Sequence, residues 1–298
     1  MTPKDRIDRI EAAIHQSVGR GMDAVFQATA GGLWRATSAL AASPKPAIGL
    51  ITGFFVPGAD PPAAETDGPA GAALLAMGFH QAGLECRLAT DTVCASACRA
   101  ALAAAGVADV PVDTAEPNQP VGAIIDLWRR RGIDWVICIE RCGPAENGRS
   151  YNMRGADISM FAAPLDQVFR AGPWRTIAIG DGGNEVGMGC VPRSVIAGHV
   201  PLGATIGCVV PADWLIAAGV SHWGAYGVLA ALALQRPDWR AAMEAALQPD
   251  LDRFVVETMV RDGPAVDGVT MRREATIDGL AMDAHHRVLE AARALMPA

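Results

Sequence analysis

Lysine is nearly missing from this sequence: Lys4 and Lys45 are the whole supply. No Lys/Arg run is longer than Arg129-Arg130-Arg131, and the net charge is −7 at pH 7 with a pI near 5.4. A chain so poor in cations lacks the basic face that nucleic-acid phosphates require, so no nucleic-acid partner is expected. Several catalytic signatures are absent as well. There is no Gly-x-x-x-x-Gly-Lys-Ser/Thr P-loop, no Gly-x-Ser-x-Gly elbow, no paired-histidine zinc motif and no three-glycine dinucleotide fingerprint. Neither a nicotinamide nor a flavin is expected. Residues 1–20 are charged and lack the apolar stretch of a signal peptide. The most apolar long stretch, residues 200–220, is broken by Pro201, Pro211 and Asp213, so no membrane span is expected and the compartment is taken as cytoplasmic.

Against these absences, apolar residues make up 51% and charged residues 19% of 298 positions, enough to bury a substantial core. That apolar content allows a homodimer, although no stretch marks an interface. Cysteine is odd in number, seven, in a chain too large to need disulfide staples. Cys94 and Cys98 share their spacing with Cys138 and Cys142, but the flanks are Ala-rich or apolar, which reads as buried free thiols rather than a zinc cluster.

Ile7, Ile10, Ile14 and Val18 fall at helical spacing, predicting an amphipathic lead-in helix over residues 5–18. Ser43-Pro44-Lys45-Pro46 breaks the chain there. Then follow a strand at 47–51, a Gly/Pro-rich loop at 52–62, a helix at 70–82 ended by Gly83, and a strand at 84–89. The alternation continues with helices at 95–105 and 120–131, strands at 134–139, 175–179 and 205–210, a helix from Ser221 to 234, and a last helix at 282–295. Such alternation predicts an α/β fold: a mostly parallel sheet covered by helices on both faces, a Rossmann-like three-layer architecture. Residues 1–46 are read as a helical lead-in packed on the core, and 47–298 as one α/β domain, the whole a single compact body.

In open α/β sheets the ligand lies beyond the carboxyl ends of the strands. Three polar, glycine-rich loops occupy such positions. The first carries Thr52 and Gly53 and runs to Glu65-Thr66-Asp67-Gly68-Pro69. A glycine before a helix start favours an anion cradle, but Glu65 and Asp67 put carboxylates there. They either cap the helix or bind a substrate ammonium or a divalent metal. The second has Glu140 and Arg141 directly after an apolar strand, followed by Asn152, Arg154 and Asp157. Two readings stand: structural ion pairs, or an arginine clamp for a carboxylate with a carboxylate beside it for proton transfer. The third, residues 180–189, holds five glycines, with Gly182 and Gly183 between Asp181 and Asn184-Glu185. Asp181, Asn184 and Glu185 are hard oxygen ligands suited to magnesium or manganese. His199 and His222 follow strand-like segments and either line the site or, the preferred reading, are lone satisfied histidines; His285 and His286 lie on a helix.

At these loops the chain resembles the C-terminal domain family of D-glutamate cyclase. The stretches are TGFFVP (52–57), ETDGPAGA (65–72), IERCG (139–143), YNMRGADIS (151–159), IGDGGNEVGMG (179–189) and AGVSHWGAYG (218–227). VDGVT (266–270) and TIDGL (276–280) follow ahead of His285, so the likeness runs in order from about residue 47 to 289. The resemblance implies a lyase that cyclises D-glutamate, or a close acidic amino acid, to 5-oxo-D-proline with loss of water. The chemistry of that reaction calls for a carboxylate base, for which Glu140 or Asp157 is expected, with Asp181 also catalytic; for a divalent metal, manganese or magnesium, expected on Asp181, Asn184 and Glu185; and for Arg141 or Arg154 on a substrate carboxylate. Thr52, Gly53, Glu65, Asp67, Asn152, Gly182 and Gly183 complete the expected substrate site. The sequence departs from the pattern at His222, where asparagine is expected. No N-terminal hydro-lyase-type domain like that of the animal enzyme is expected here, which raises the expectation of a separate hydro-lyase partner. The alternative is a metal-dependent enzyme or sensor for a phosphorylated metabolite or nucleotide.

Overall fold

A computed structural model gives the structure of the chain and describes residues 1–296. Six strands form one parallel sheet: β1 Ile48–Ile51, β2 Cys86–Asp91, β3 Val112–Ala115, β4 Trp135–Ile139, β5 Arg175–Gly180 and β6 Trp214–Ala217. Their order across the sheet is β3-β2-β1-β4-β5-β6, the doubly wound arrangement. The order reverses between β1 and β4, where Ile51 lies opposite Cys138, so a crevice opens beyond those two strand ends.

In chain order the helices are α1 Pro3–Ile14, α2 Asp23–Thr29, α3 Gly32–Ala41, α4 Pro69–Gln81, α5 Ala95–Ala104 and α6 Gly122–Arg130. There follow α7 Leu165–Ala171, α8 Arg193–His199, α9 Gly203–Ile206, α10 Ser221–Gln235, α11 Arg240–Ala246, α12 Pro249–Asp262 and α13 Met282–Arg293. Successive strand residues point to opposite faces, so each strand feeds two cores. Ile48, Leu50, Ile137, Ile139, Ile177 and Ile179 join the apolar cluster under α1, α3, α4, α5 and α10–α13. Ile51, Val136, Cys138 and Ala178 join the other, under α2 and α6–α9. The expected three layers are present. Helix α10 is buried over nearly its whole length, enclosed by α1, α3, α4, α11 and α13. That burial explains its lack of a polar stripe.

One expected strand is corrected. Residues 205–210 form no strand; Gly203–Ile206 is a short helix, and the sixth strand is Trp214–Ala217, beyond Pro211. Here Leu215 and Ile216 pair with Ala178 and Ile179 of β5, an arrangement the Gly- and Pro-punctuated run before it cannot supply. The lead-in helix also ends at Ile14 rather than at residue 18, because residues 15–22 turn the chain through Gly19 and Gly21. Helices α2, α3, α7 and α12 and the edge strand β3 were not legible in the sequence pattern. All seven cysteines are free and six of them are buried, as expected. No helix among the described residues is long and apolar enough to cross a membrane.

Candidate active site

The crevice at the strand reversal holds a cavity of about 210 Å³. It is small beside the roughly 300–1,000 Å³ of pockets that take drug-sized ligands. Glu65, Glu140, Asp181, Asn184 and Asp278 line it, with Arg20 on the same wall and Asn152 and Arg154 at its edge. Asp67 and Glu185 stand directly behind, both buried. Six carboxyl groups thus gather around one guanidinium.

Glu140 and Asp181 directly follow sheet strands, Glu65 and Asp67 lie just before α4, Glu185 lies in the loop after β5, and Asp278 sits in the turn of a short hairpin before α13. Glu140 follows β4 with a left-handed backbone, φ 42°, an uncommon conformation that recurs at Asp278, φ 55°. Gly68 lets the chain pass behind Glu140. Its φ is +86°, and a Cβ there would lie 2.6 Å from Thr52 Oγ1 and 2.9 Å from Glu140 Cβ. Asp67 does not cap α4, whose preceding residue Gly68 has no side-chain cap. Its carboxylate instead accepts the amide of Gly68 at 2.7 Å and that of Ser221 at 3.0 Å. Asp181 accepts the same Ser221 amide at 2.8 Å, so the start of α10 is held between two aspartates. The Ser221 hydroxyl donates to Glu140 Oε2 at 2.5 Å.

The glycine-rich loop after β5 is folded around Glu185. That carboxylate accepts the backbone amides of Asp181, Gly182 and Gly183 at 3.2, 2.6 and 2.7 Å. Amides that a bound anion would need are therefore turned onto an internal one. Asn184 donates to Tyr151 O at 2.8 Å, while its Oδ1 is buried on the cavity wall without a partner.

Burial dominates the electrostatics. It pushes the Glu65, Asp67 and Glu140 carboxyls well above the usual carboxylate range; repulsion from Asp278 and Asp181 adds to it at Glu65 and Asp67, and from Asp181 and Glu185 at Glu140. Asp181 is raised by burial, with the Arg20 guanidinium opposing. Asp278 is pushed up to about 7 by burial and by Asp181, again against Arg20. Such a site holds protons or cations near neutral pH. The donor chemistry fits a hard divalent ion: oxygens of Asp67, Asp181 and Asp278 lie within 4.8 Å of one another, as do those of Glu140, Asp181 and Glu185.

Of the residues singled out in the sequence, Glu65, Asp67, Glu140, Asp181, Asn184 and Glu185 are brought together here. Thr52 stands behind Gly68, its hydroxyl buried and unpartnered. Arg141 does not face the cavity. It is fully buried, paired with Asp91, and donates to Gly53 O at 2.8 Å and Ala163 O at 2.6 Å, tying together the segments around β1, β2 and β4. Asp157 is exposed, pairs with Arg149 at 2.9 Å and lies outside the cavity wall. Arg154 reaches the rim and donates to Val269 O at 2.9 Å. His222 is buried on Asp252 Oδ1 at 2.7 Å, but its Nδ1 has no partner, and His199 is exposed at the end of α8 rather than satisfied in the core. Sequence reasoning missed Arg20, Ser221 and Asp278. Asp278 sits in the TIDGL stretch and had a signal, an Asp-Gly turn; Arg20, between two glycines of a polar loop, had none.

Fold and site together define a doubly wound α/β domain with a carboxylate-lined small-molecule cavity at its switch point. The chain belongs to the D-glutamate cyclase-like, C-terminal family, whose pattern matches residues 10–293. It is similar to the mitochondrial D-glutamate cyclase of Homo sapiens, with 40% identity over 103 residues. That match covers 33% of this chain and 17% of the human protein.

Proposed function

We propose that the chain is a lyase that cyclises D-glutamate, or a close acidic amino acid, to 5-oxo-D-proline and water. The observation that carries this reading is the set of proton-holding carboxyls around a metabolite-sized cavity with Arg20 among them. The reaction forms a bond from the α-nitrogen to the γ-carboxyl carbon and breaks one carbon–oxygen bond. Two protons leave the ammonium, and two end on the departing oxygen as water. No proton is consumed overall, so the catalyst must accept protons at nitrogen and return them at oxygen. Carboxyls raised by burial suit both tasks, because each is a stronger base when ionised and is more readily protonated than an ordinary carboxylate.

Glu140 is the assigned relay. Its Oε2 meets the Ser221 hydroxyl at 2.5 Å, and that residue's amide joins Asp67 and Asp181, which links three carboxyls through one residue. Arg20 and Arg154 are the cations available to substrate carboxylates at the cavity and its rim. Asp181 and Glu140, with Glu185 and the unpartnered Asn184 oxygen nearby, would hold manganese or magnesium. A bound ion would neutralise the γ-carboxylate and make it a better electrophile. The acid-rich wall and the use of the loop amides by Glu185 weigh against a phosphorylated ligand.

Purified protein incubated with D- and L-glutamate, with manganese, magnesium or chelator, tests this by chiral chromatography. Formation of 5-oxo-D-proline above the uncatalysed background is expected, and its loss with chelator would assign the metal. No product from either isomer, in protein shown to be folded, removes the cyclase reading.

A further inference from the structure

Arg20 is the only part of the cavity wall contributed by the segment before β1. Its two terminal nitrogens hold different aspartates: Nη1 meets Asp181 Oδ1, and Nη2 meets Asp278 Oδ1 at 2.6 Å. Asp67 completes a trio with oxygens mutually within 4.8 Å, so the guanidinium occupies a ready-made cation seat. Two further atoms point to a ligand. Asp278 Oδ2 has no hydrogen-bond partner although the side chain is only 7% exposed, and Asn184 Oδ1 has none in a residue 1% exposed. Unsatisfied polar atoms at such depth are costly unless something fills the place beside them. The backbone beside Arg20 is closely packed: Gly21 has φ +73°, and a Cβ on it would lie 2.0 Å from His199 O, while the Arg20 side chain is long enough to turn about its own bonds.

We propose that the cavity recognises the zwitterionic head of an α-amino acid by exchanging ion pairs with it. The substrate ammonium replaces the Arg20 guanidinium between Asp181 and Asp278, and Arg20 turns to the α-carboxylate. An ammonium has three donors, enough for the Asp181 and Asp278 oxygens, including the one now without a partner. Charge is conserved throughout, because each internal ion pair is replaced by an intermolecular one. This deepens the cyclase reading by assigning how the same site selects its substrate class, and rests on it only for the identity of the side chain. It also explains release: cyclisation turns the ammonium into an uncharged amide N–H, and the aspartates return to Arg20.

Calorimetric titration of the full chain, free of metal, with D-glutamate, D-alanine, glutarate, 4-aminobutyrate and 5-oxo-D-proline tests the proposal. Glutarate lacks the ammonium and 4-aminobutyrate lacks the α-carboxylate. Each is expected to bind roughly 10- to 100-fold more weakly than D-glutamate, as is 5-oxo-D-proline. Arg20→Gln should weaken D-glutamate by a similar factor while 4-aminobutyrate binds no worse than to the wild type, and Arg20→Lys should recover part of the loss. Equal binding of glutarate and D-glutamate, silence of both D-glutamate and D-alanine, or an unchanged dissociation constant in Arg20→Gln would overturn it. Zwitterion-selective binding without turnover would leave this inference standing and remove the cyclase reading. Turnover with an unchanged KM in Arg20→Gln would do the reverse.

Discussion

Ser221 and Glu140 meet across the reversal point of the sheet, hydroxyl to carboxyl oxygen at 2.5 Å, although 81 residues separate them. The contact joins the first residue of the most buried helix to the acid at the end of β4. Ser221→Ala removes it without a steric cost. We expect kcat to fall roughly 10- to 100-fold with KM little changed, and stability to fall by about 1–2 kcal/mol. Ser221→Thr should keep part of the rate. Steady-state kinetics with a urea melt decide it; a wild-type kcat in Ser221→Ala would remove the relay.

Asp278 titrates at about 7 in the folded chain, against an ordinary 3.8. Between those values the folded state holds a proton that the unfolded state has lost, so the contribution of this group to stability is full below pH 4 and declines as pH rises towards 7. The slope for one such group is at most about 1.4 kcal/mol per pH unit. Glu65, Asp67 and Glu140 are raised too and act with the same sign. Buried His15 and His285, both lowered from the ordinary 6.5, oppose this trend below that pH, so the melting temperature should drop most clearly between pH 6.5 and pH 8, and Asp278→Asn should flatten the decline. A melting temperature that climbs steadily across that range contradicts the assignment.

Arg141→Met leaves Asp91 buried without its partner and frees the Gly53 and Ala163 carbonyls. A loss of about 3–5 kcal/mol is expected, read as a lower urea midpoint, because an uncompensated buried charge costs more than the pair contributes. A stable Arg141→Met variant that has lost only substrate affinity would restore the clamp role.

Asp157→Asn and Asp181→Asn separate two of the three carboxylates that the sequence offered for catalysis. Asp157 is an exposed partner of Arg149, so its variant should stay within about 0.5 kcal/mol in stability and about threefold in rate. Asp181→Asn should lose at least roughly 100-fold in kcat while still folding.

Glu185→Gln replaces a carboxylate that accepts three amides by a group with only one acceptor oxygen. It should lose about 1–3 kcal/mol along with activity. A fully stable, inactive Glu185→Gln would instead point to a role confined to metal or substrate.

Much of the architecture was legible because periodicity and punctuation are local. The expected helix at 70–82 is observed as Pro69–Gln81, that at 95–105 as Ala95–Ala104, and the strand at 134–139 as Trp135–Ile139. The misread strand at 205–210 shows the limit, since an apolar run between Gly and Pro reads alike in a short helix, a loop or a strand. Edge strand β3, with its half-exposed Val112-Asp113-Thr114, carries too little hydrophobic pattern to be seen at all.

By itself the sequence determined the α/β class, the absence of a membrane-spanning helix, the free thiols and the three acidic, glycine-rich loops, because each follows from residues near one another in the chain. It also carried the family stretches. Only the tertiary structure decided which charges face the cavity. Arg141 and Arg20 are equally cationic, but one is locked to Asp91 and the other meets Asp181 and Asp278. The physical reason is that the site joins residues 20, 67, 140, 181, 221 and 278 through strand order and helix packing. Burial, which sets the charge states of the carboxyls, arises only when those distant segments close over one another.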